Sequence, residues 1–508
     1  MKPGNFLFYP GAMFYNDHGG MGVYVRHHAN KRDIEPTVVD RTPLSVEIHG
    51  PHRDVMIVQD MNRYPSSRQL DSSWEEYIDW SPFGRPAKAY GVDRIMVNMP
   101  QHLNKMYASH GLTPHVRIQS DSGGFQLINN KIDYLDPMDV INWYNKNVHE
   151  GMVLDIPIPF ADFEMGKRGA LIQKHNTEIL VNNAREDLEF LNIIHGANYE
   201  TYARYHDIVQ RDDLDMLSIA SIYRSEIVKS IHTLAKIINH GKRYKQYHLL
   251  GIYNIAMVAP LIWFAQKMGV NISTDASTHV KSGINRMFHS QHLPTSPVSR
   301  LIIGNNGGVP PSRNNFTPCS CPVCTNVKYM DILAYVPGST ATFALVLHNM
   351  FETIRYVDMM CDAAKTLNSN QYIELMKKQL GNHPTKESSV KAIRLIDEIV
   401  EHGIAKAEKK FSYFLSESMT EDLLANPLIA EEDNGDEPEM TVDAFKERVW
   451  SMIRTYEERD GTRLTKMKTK KKGDKKERGH VLSTKGHTRP GKKKKKIKKK
   501  VLVNAAAI

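Results

Sequence analysis

Over the first three hundred residues, short apolar runs alternate with longer stretches in which apolar residues recur every three or four positions. That is the rhythm of strands followed by amphipathic helices. Eight runs read as strands: Phe6–Pro10, Arg94–Asn98, Val116–Ser120, Met152–Ile156, Asn192–Gly196, Met216–Ala220, His248–Ile252 and Asn271–Asp275. Ala161–Phe190, Ser225–His240 and Asn254–Met268 read as helices between them. Eight strand–helix units in series predict an α/β fold, a closed parallel (β/α)8 barrel of the TIM type. An open doubly wound sheet is the alternative, but no Gly-rich phosphate fingerprint follows the first strand.

The barrel domain is expected over residues 1–304. Residues 26–89 are too many for a plain barrel connection and hold Leu44–His49 and Val55–Gln59, a predicted extra hairpin. A Pro/Asn/Gly-rich loop, Asn305–Pro318, opens a zinc-binding subdomain expected over 305–350. Residues 351–430 turn helical, with Val390, Ile393, Ile396, Val400 and Ile404 on one predicted face. An acidic linker with a helix at Val442–Tyr456 fills 431–461, and a polybasic tail runs over 462–508.

With 41% hydrophobic residues, the 508-residue chain can bury a full core. Met1–Gly20 carries no signal pattern, and the most apolar run, Ile255–Val270, is short and broken by Pro260 and Lys267. A soluble cytoplasmic protein without a membrane partner is therefore expected. Charge changes the picture more. Thr462–Lys500 holds 19 Lys/Arg against Asp474 and Glu477, a net +17, so the rest of a chain of net +9 carries −8. Such a tail, with Lys492, Lys493, Lys494, Lys495 and Lys496 in a row, predicts a disordered, sequence-blind polyanion binder.

In a barrel of this type, chemistry sits where strands end. Those positions are Asn98, Asp121, Asp155, His195 with Gly196, Ser218 to Ser221, and Asp275. Asp121 opens the turn Asp121-Ser122-Gly123-Gly124-Phe125-Gln126, whose glycines let a ligand approach and whose aromatic ring can stack. Two carboxylates across a substrate suit displacement at a sugar carbon, one as nucleophile and one as proton shuttle. A third beside a flat pocket could accept hydrogen bonds from an edge such as guanine's. On residue chemistry alone, metal-assisted hydrolysis is an equal reading. Separately, Cys319, Cys321 and Cys324 with His348 make a closed tetrahedral zinc set, hence a structural Zn2+.

These two signals, in this order on an eight-strand barrel, resemble the guanine transglycosylase family over roughly residues 5–350. The resemblance implies exchange of a guanine in a polynucleotide for a 7-deazaguanine such as preQ0, by double displacement and without redox cofactor or ATP. It implies Asp275 as nucleophile and Asp121 as general acid/base. Ser122 and Asp155 would read the base, Phe125 would stack on it, Leu250 and Gly251 would face it from the other side, and Asn98 would lie close by. It also implies pairing of two copies through the zinc region.

Departures from the family's tRNA enzymes point further. His195-Gly196-Ala197 stands where they carry Gln-Gly-Gly, Leu217-Ser218-Ile219-Ala220 replaces Gly-Gly-Leu-Ala, and Met-Pro-Thr-Arg is absent near Asp275. The pattern looks most like the phage and bacterial branch that modifies DNA, which makes DNA the expected partner, with tRNA as the alternative. His195 would then alter which 7-substituent is accepted. A non-catalytic nucleic-acid-binding barrel is the reading from a different class.

Overall fold

Eight short parallel strands carry the fold. They are β1 (Phe6–Pro10), β2 (Arg94–Asn98), β3 (Arg117–Asp121), β4 (Glu150–Met152), β5 (Glu189–Ile194), β6 (Met216–Ile219), β7 (Gln246–Leu249) and β8 (Ile272–Ala276). From β2 to β8 each pairs with the next, and β8 returns to β1 with Phe6 opposite Ile272 and Tyr9 opposite Asp275. The two edges, β1 and β2, lie against each other, with the Arg94 guanidinium 5.4 Å from the centre of the Tyr9 ring. The result is a nearly closed TIM-type barrel, as the alternating pattern predicts. The computed structural model describes residues 4–10, 21–27, 37–42, 45–49, 53–59, 76–79, 93–98, 116–124, 134–156, 163–220, 222, 226–252, 255–276, 278–284, 287–290, 299–302, 319–326, 339–381, 383–416 and 442–469.

Helices α1 (Pro137–Asn147), α2 (Phe163–Asn182), α3 (Tyr199–Val209), α4 (Ile227–Ile238) and α5 (Ile255–Met268) follow β3 to β7 in turn, and α6 (Thr278–Ile284) follows β8. Local sequence starts them. Asp136 accepts from the Met138 N–H with proline at the first helical position of α1, and Asn198 with Thr201 forms a capping box on α3. In α4, Ile227, Val228, Ile231, Leu234, Ala235 and Ile238 fall on the buried face.

Beyond the barrel come α7 (Pro322–Asn326), α8 (Ser339–Thr366), α9 (Ser369–Leu380), α10 (Lys386–His402), α11 (Ile404–Lys410), α12 (Ser412–Ser416) and α13 (Val442–Thr469). They form a second layer, which explains why α5 is apolar on nearly every side. Pro260 inside α5 cannot donate to the Ala256 carbonyl, and the Ser389 hydroxyl from α10 does so instead at 2.7 Å. Trp263 of α5 stacks on Tyr372 and donates to Asp397 at 2.9 Å. The first turns of α13 bury Phe445, Val449, Met452, Ile453 and Tyr456, and the Tyr456 hydroxyl bonds both the N–H and the carbonyl of Leu135.

Several boundaries differ from expectation. β4 ends at Met152 rather than continuing to Ile156; after one more bond, Val153 N–H to Leu191 O, the apolar chain leaves the ladder as a buried loop. An apolar run does not distinguish the two. Helix α2 stops at Asn182, because Leu188 and Phe190 belong to the approach and body of β5. Val400 is 47% exposed, and Ile404 starts a new helix after Gly403, so the predicted stripe on α10 is interrupted there. The insertion is a five-stranded antiparallel sheet beginning at Met21, of which Ser45–His49 and Arg53–Gln59 are the expected pair. α13 runs on to Thr469, past the expected Tyr456.

The chain divides into two units, Met1–Gly461 and Thr462–Ile508. Among the described residues, no helix is long and apolar enough to cross a membrane. The loop 305–318, the acidic run 431–439 and Lys492, Lys493, Lys494, Lys495 and Lys496 lie outside the described residues.

Candidate active site

The barrel interior is polar at chosen points. Glu150, at the start of β4, is buried and receives the Tyr9 hydroxyl from across the barrel at 3.1 Å and the Gln119 amide at 2.9 Å, with Arg117 paired to it. A buried carboxylate is tolerable only with such partners. Tyr9 also meets His248 edge to face, with ring centres 5.8 Å apart. This layer supports the groups at the mouth above it.

At the carboxyl ends of the strands, Asp121 closes β3 and Asn98 closes β2, its register partner. The Asn98 amide donates to Asp121 Oδ2 at 3.0 Å. Behind Asp121 the turn Ser122-Gly123-Gly124 folds back against the loop after β4. The Ser122 hydroxyl donates to Asp155 Oδ1 at 2.6 Å, and His195 Nε2 meets Asp155 Oδ2 at 2.8 Å. Gly124 is required for this approach: a Cβ there would lie 2.8 Å from Asp155 Oδ1 and 3.0 Å from its carbonyl. Gly196 packs just as closely on Tyr202. Phe125, the expected stacking ring, lies outside the described residues.

Across the mouth, Asp275 in β8 has a side chain 19% exposed. Its Oδ1 accepts from the Gly251 N–H at 2.7 Å and from His248 Nε2 at 3.3 Å, leaving Oδ2 unengaged among the described residues. The order of donors fixes the histidine tautomer. The Gln246 amide donates to Ser273 Oγ at 2.7 Å, the Ser273 hydroxyl then donates to His248 Nδ1 at 2.9 Å, and Nε2 keeps its proton for Asp275. Neighbouring Leu250 donates its backbone N–H to Ile219 O at 3.2 Å.

The two carboxylates therefore have different surroundings. Burial, then the charge of Asp155 and less strongly that of Asp275, pushes Asp121 up to about 7, against backbone N–H groups of Gly123 and Ser122 that hold it down. A carboxyl poised there can both give and take a proton near neutral pH. Asn98 Oδ1 and His195 Nδ1 are buried without a hydrogen-bond partner among the described residues, two polar atoms that a bound ligand would satisfy.

Cys319, Cys321, Cys324 and His348 place their ligand atoms within 4.8 Å of one another. His348 Nδ1 lies 3.5 Å from Cys321 Sγ and 3.4 Å from Cys324 Sγ, while its Nε2–H donates to the His289 carbonyl at 2.6 Å, so Nδ1 is the ring nitrogen that faces the sulfurs with its lone pair. Burial raises Cys321, yet hydrogen bonds from Cys319 and Cys324 more than offset it and bring the thiol to about 5. Burial and the adjacent sulfurs push Cys324 up instead. A second thiolate is resisted unless a cation joins the group, and a zinc ion fits that donor set. It would tie α7 and the preceding residues onto α8, away from the carboxylates' chemistry.

The chain is 21% identical over 298 residues to the tRNA-guanine(15) transglycosylase of Saccharolobus solfataricus, covering 54% of this chain and 53% of that protein. It thus spans about half the length of the curated relative it matches. No family model matches it. The distant likeness supports kinship with the guanine transglycosylases, in agreement with the motif.

Asp121, Ser122, Asp155, His195 and Asp275, all expected at the site from the sequence, meet at one mouth. His248, Gln246 and Ser273 join them without having been expected there. Their signal was polar residues alternating with apolar ones on strands inside a barrel, where inward polar groups need a reason.

Proposed function

We propose that this chain is a guanine transglycosylase that replaces guanine in DNA with a 7-deazaguanine. The observation that carries this reading is the pairing of Asp275, oriented by Gly251 and His248 with one oxygen to spare, with Asp121, pushed up to about 7 at the same mouth.

Asp275 Oδ2 attacks C1′ of the target nucleotide. As the C1′–O bond forms, the bond from C1′ to the guanine nitrogen breaks, and Asp121 gives its proton to the departing base. The incoming 7-deazaguanine then loses its ring N–H proton to Asp121 and attacks C1′ through that nitrogen. The Asp275 ester opens and both carboxyls return to their starting states. The first half-reaction weakens above pH 7 and the second below it, so exchange peaks near neutrality. The Ser122–Asp155–His195 chain meets the base edge, with His195 Nδ1 supplying the contact that distinguishes 7-substituents, and Phe125 covers the base face. The target base leaves its stack to reach the pocket. Zinc on Cys319, Cys321, Cys324 and His348 serves as a structural crosslink. Two copies of the chain pair through that region.

DNA is favoured by the tail of net +17, suited to a long polyanion, and by the departures around His195 and Leu217. A second reading, action on tRNA, is favoured by the likeness to the tRNA-guanine(15) transglycosylase of Saccharolobus solfataricus. Trapping decides both points. Incubation with labelled guanine-containing DNA or with tRNA, followed by denaturation, should yield a covalent protein–DNA species that Asp275→Ala abolishes. A species formed with tRNA alone supports the second reading, and one that persists in Asp275→Ala refutes the nucleophile.

A further inference from the structure

Away from the carboxylates and the thiols, at the other end of the barrel, three side chains converge where α3 and α4 finish. His206 and Asp207 lie in the last turn of α3, and His240 follows α4 by two residues. One ligand atom from each falls within 4.8 Å of the others. His240 Nε2 is 3.0 Å from Asp207 Oδ1, and His206 Nδ1 is 3.8 Å from the same oxygen. Donors about 2.0–2.1 Å from a tetrahedral zinc-class ion stand roughly 3.3 Å apart, so the two spacings bracket what such an ion needs.

Two further observations point to a ligand. The His206 side chain is 3% exposed, yet its Nδ1 has no hydrogen-bond partner among the described residues; at 3.8 Å the carboxylate is too far to serve. Each ring's other nitrogen is held by a tyrosine hydroxyl: His206 Nε2 by Tyr244 at 2.8 Å, His240 Nδ1 by Tyr199 at 3.2 Å. Both hydroxyls can accept an N–H, so His206 Nδ1 can present a lone pair toward Asp207, and His240 Nε2, which donates to Asp207 Oδ1 at 3.0 Å, can do so once its proton shifts to Nδ1. This is the outer support that metal-bound imidazoles require. Gly241, at φ 64°, turns the chain directly after His240; a Cβ there would lie 3.4 Å from His206 Cε1, beside the open nitrogen.

We propose that His206 Nδ1, Asp207 Oδ1 and His240 Nε2 bind a divalent transition-metal ion of the zinc class, with a fourth position open to solvent. On binding, the neutral His240 ring exchanges its Nε2–H tautomer for the Nδ1–H tautomer, with the Nδ1–H donated to Tyr199 and no net release of a proton. Asp207 is 59% exposed, which gives the ion its entry. The site ties the ends of α3 and α4 together at the face of the barrel where stability, not catalysis, is usually lodged. It is independent of the proposed base exchange.

The test uses the full chain with its cysteine cluster already loaded with one equivalent of Zn2+. Calorimetric titration with Zn2+, repeated with Co2+ as a visible reporter, should show one further equivalent whose cobalt spectrum lacks thiolate charge transfer. Asp207→Asn and His240→Gln, both at partly exposed positions, should weaken it by at least about 100-fold, and Tyr199→Phe by about tenfold. Cys321→Ser should leave this uptake intact. Uptake limited to the thiolate equivalent, or a second equivalent unchanged in both ligand variants, overturns the assignment.

Discussion

Replacing Asp121 by asparagine should stabilise the folded protein while abolishing base exchange. The carboxyl is raised from 3.8 to about 7, which at about 1.4 kcal/mol per unit sets an upper bound of about 4 kcal/mol against the ionised folded state. Asp121 is partly open to solvent at the mouth, and halving the figure for screening leaves ~2 kcal/mol. The sign follows from proton binding. A folded-state value above the unfolded one means the folded protein holds the extra proton, so stability is greatest below about pH 4 and declines until about pH 7. Asparagine removes that dependence and still accepts from Asn98. Thermal unfolding at pH 5 and pH 8 should show Asp121→Asn above the parent by about 1 °C at the lower pH and about 2 °C at the higher. An excess that does not grow with pH, or a variant that melts lower at pH 8, refutes the environment assigned to Asp121.

Other outcomes follow from the same geometry. Gly124→Ala forces a methyl to within 2.8 Å of Asp155 Oδ1, so it should cost about 1–3 kcal/mol in unfolding and reduce exchange far more than an equally destabilising core change. Cys321→Ser should lower zinc content by one equivalent per chain, measured by atomic emission, and drop the melting temperature by about 5 °C. Deleting Thr462–Ile508 should weaken DNA binding and flatten the slope of log affinity against log salt, while exchange into a short saturating oligonucleotide stays near the parent's rate.

The barrel was legible because eight apolar runs at strand length, separated by helical periodicity, leave few architectures that bury them. Strand ends were less so. Met152–Ile156 is uniformly apolar apart from Asp155, and nothing local says that pairing stops at Met152 while the chain stays buried. Asp155 therefore stands on a loop, reached by Ser122 and His195, rather than on a strand end. The carboxylates and thiol cluster stood out by type and spacing. The chain Gln246–Ser273–His248–Asp275 did not, because it joins two strands side by side and exists only once their register is set. The five-stranded insertion was half visible: Leu44–His49 and Val55–Gln59 stand out as apolar runs of strand length, whereas Met21–His27, which pairs with the second of them, lies mostly ahead of the expected insertion at 26–89.

The most direct test is incorporation of radiolabelled guanine into DNA and, in parallel, into unmodified tRNA, with Asp275→Ala as control. The proposed function predicts label in DNA that depends on Asp275, with a rate maximal near neutral pH. Label in neither polymer, or label that survives Asp275→Ala, would contradict it.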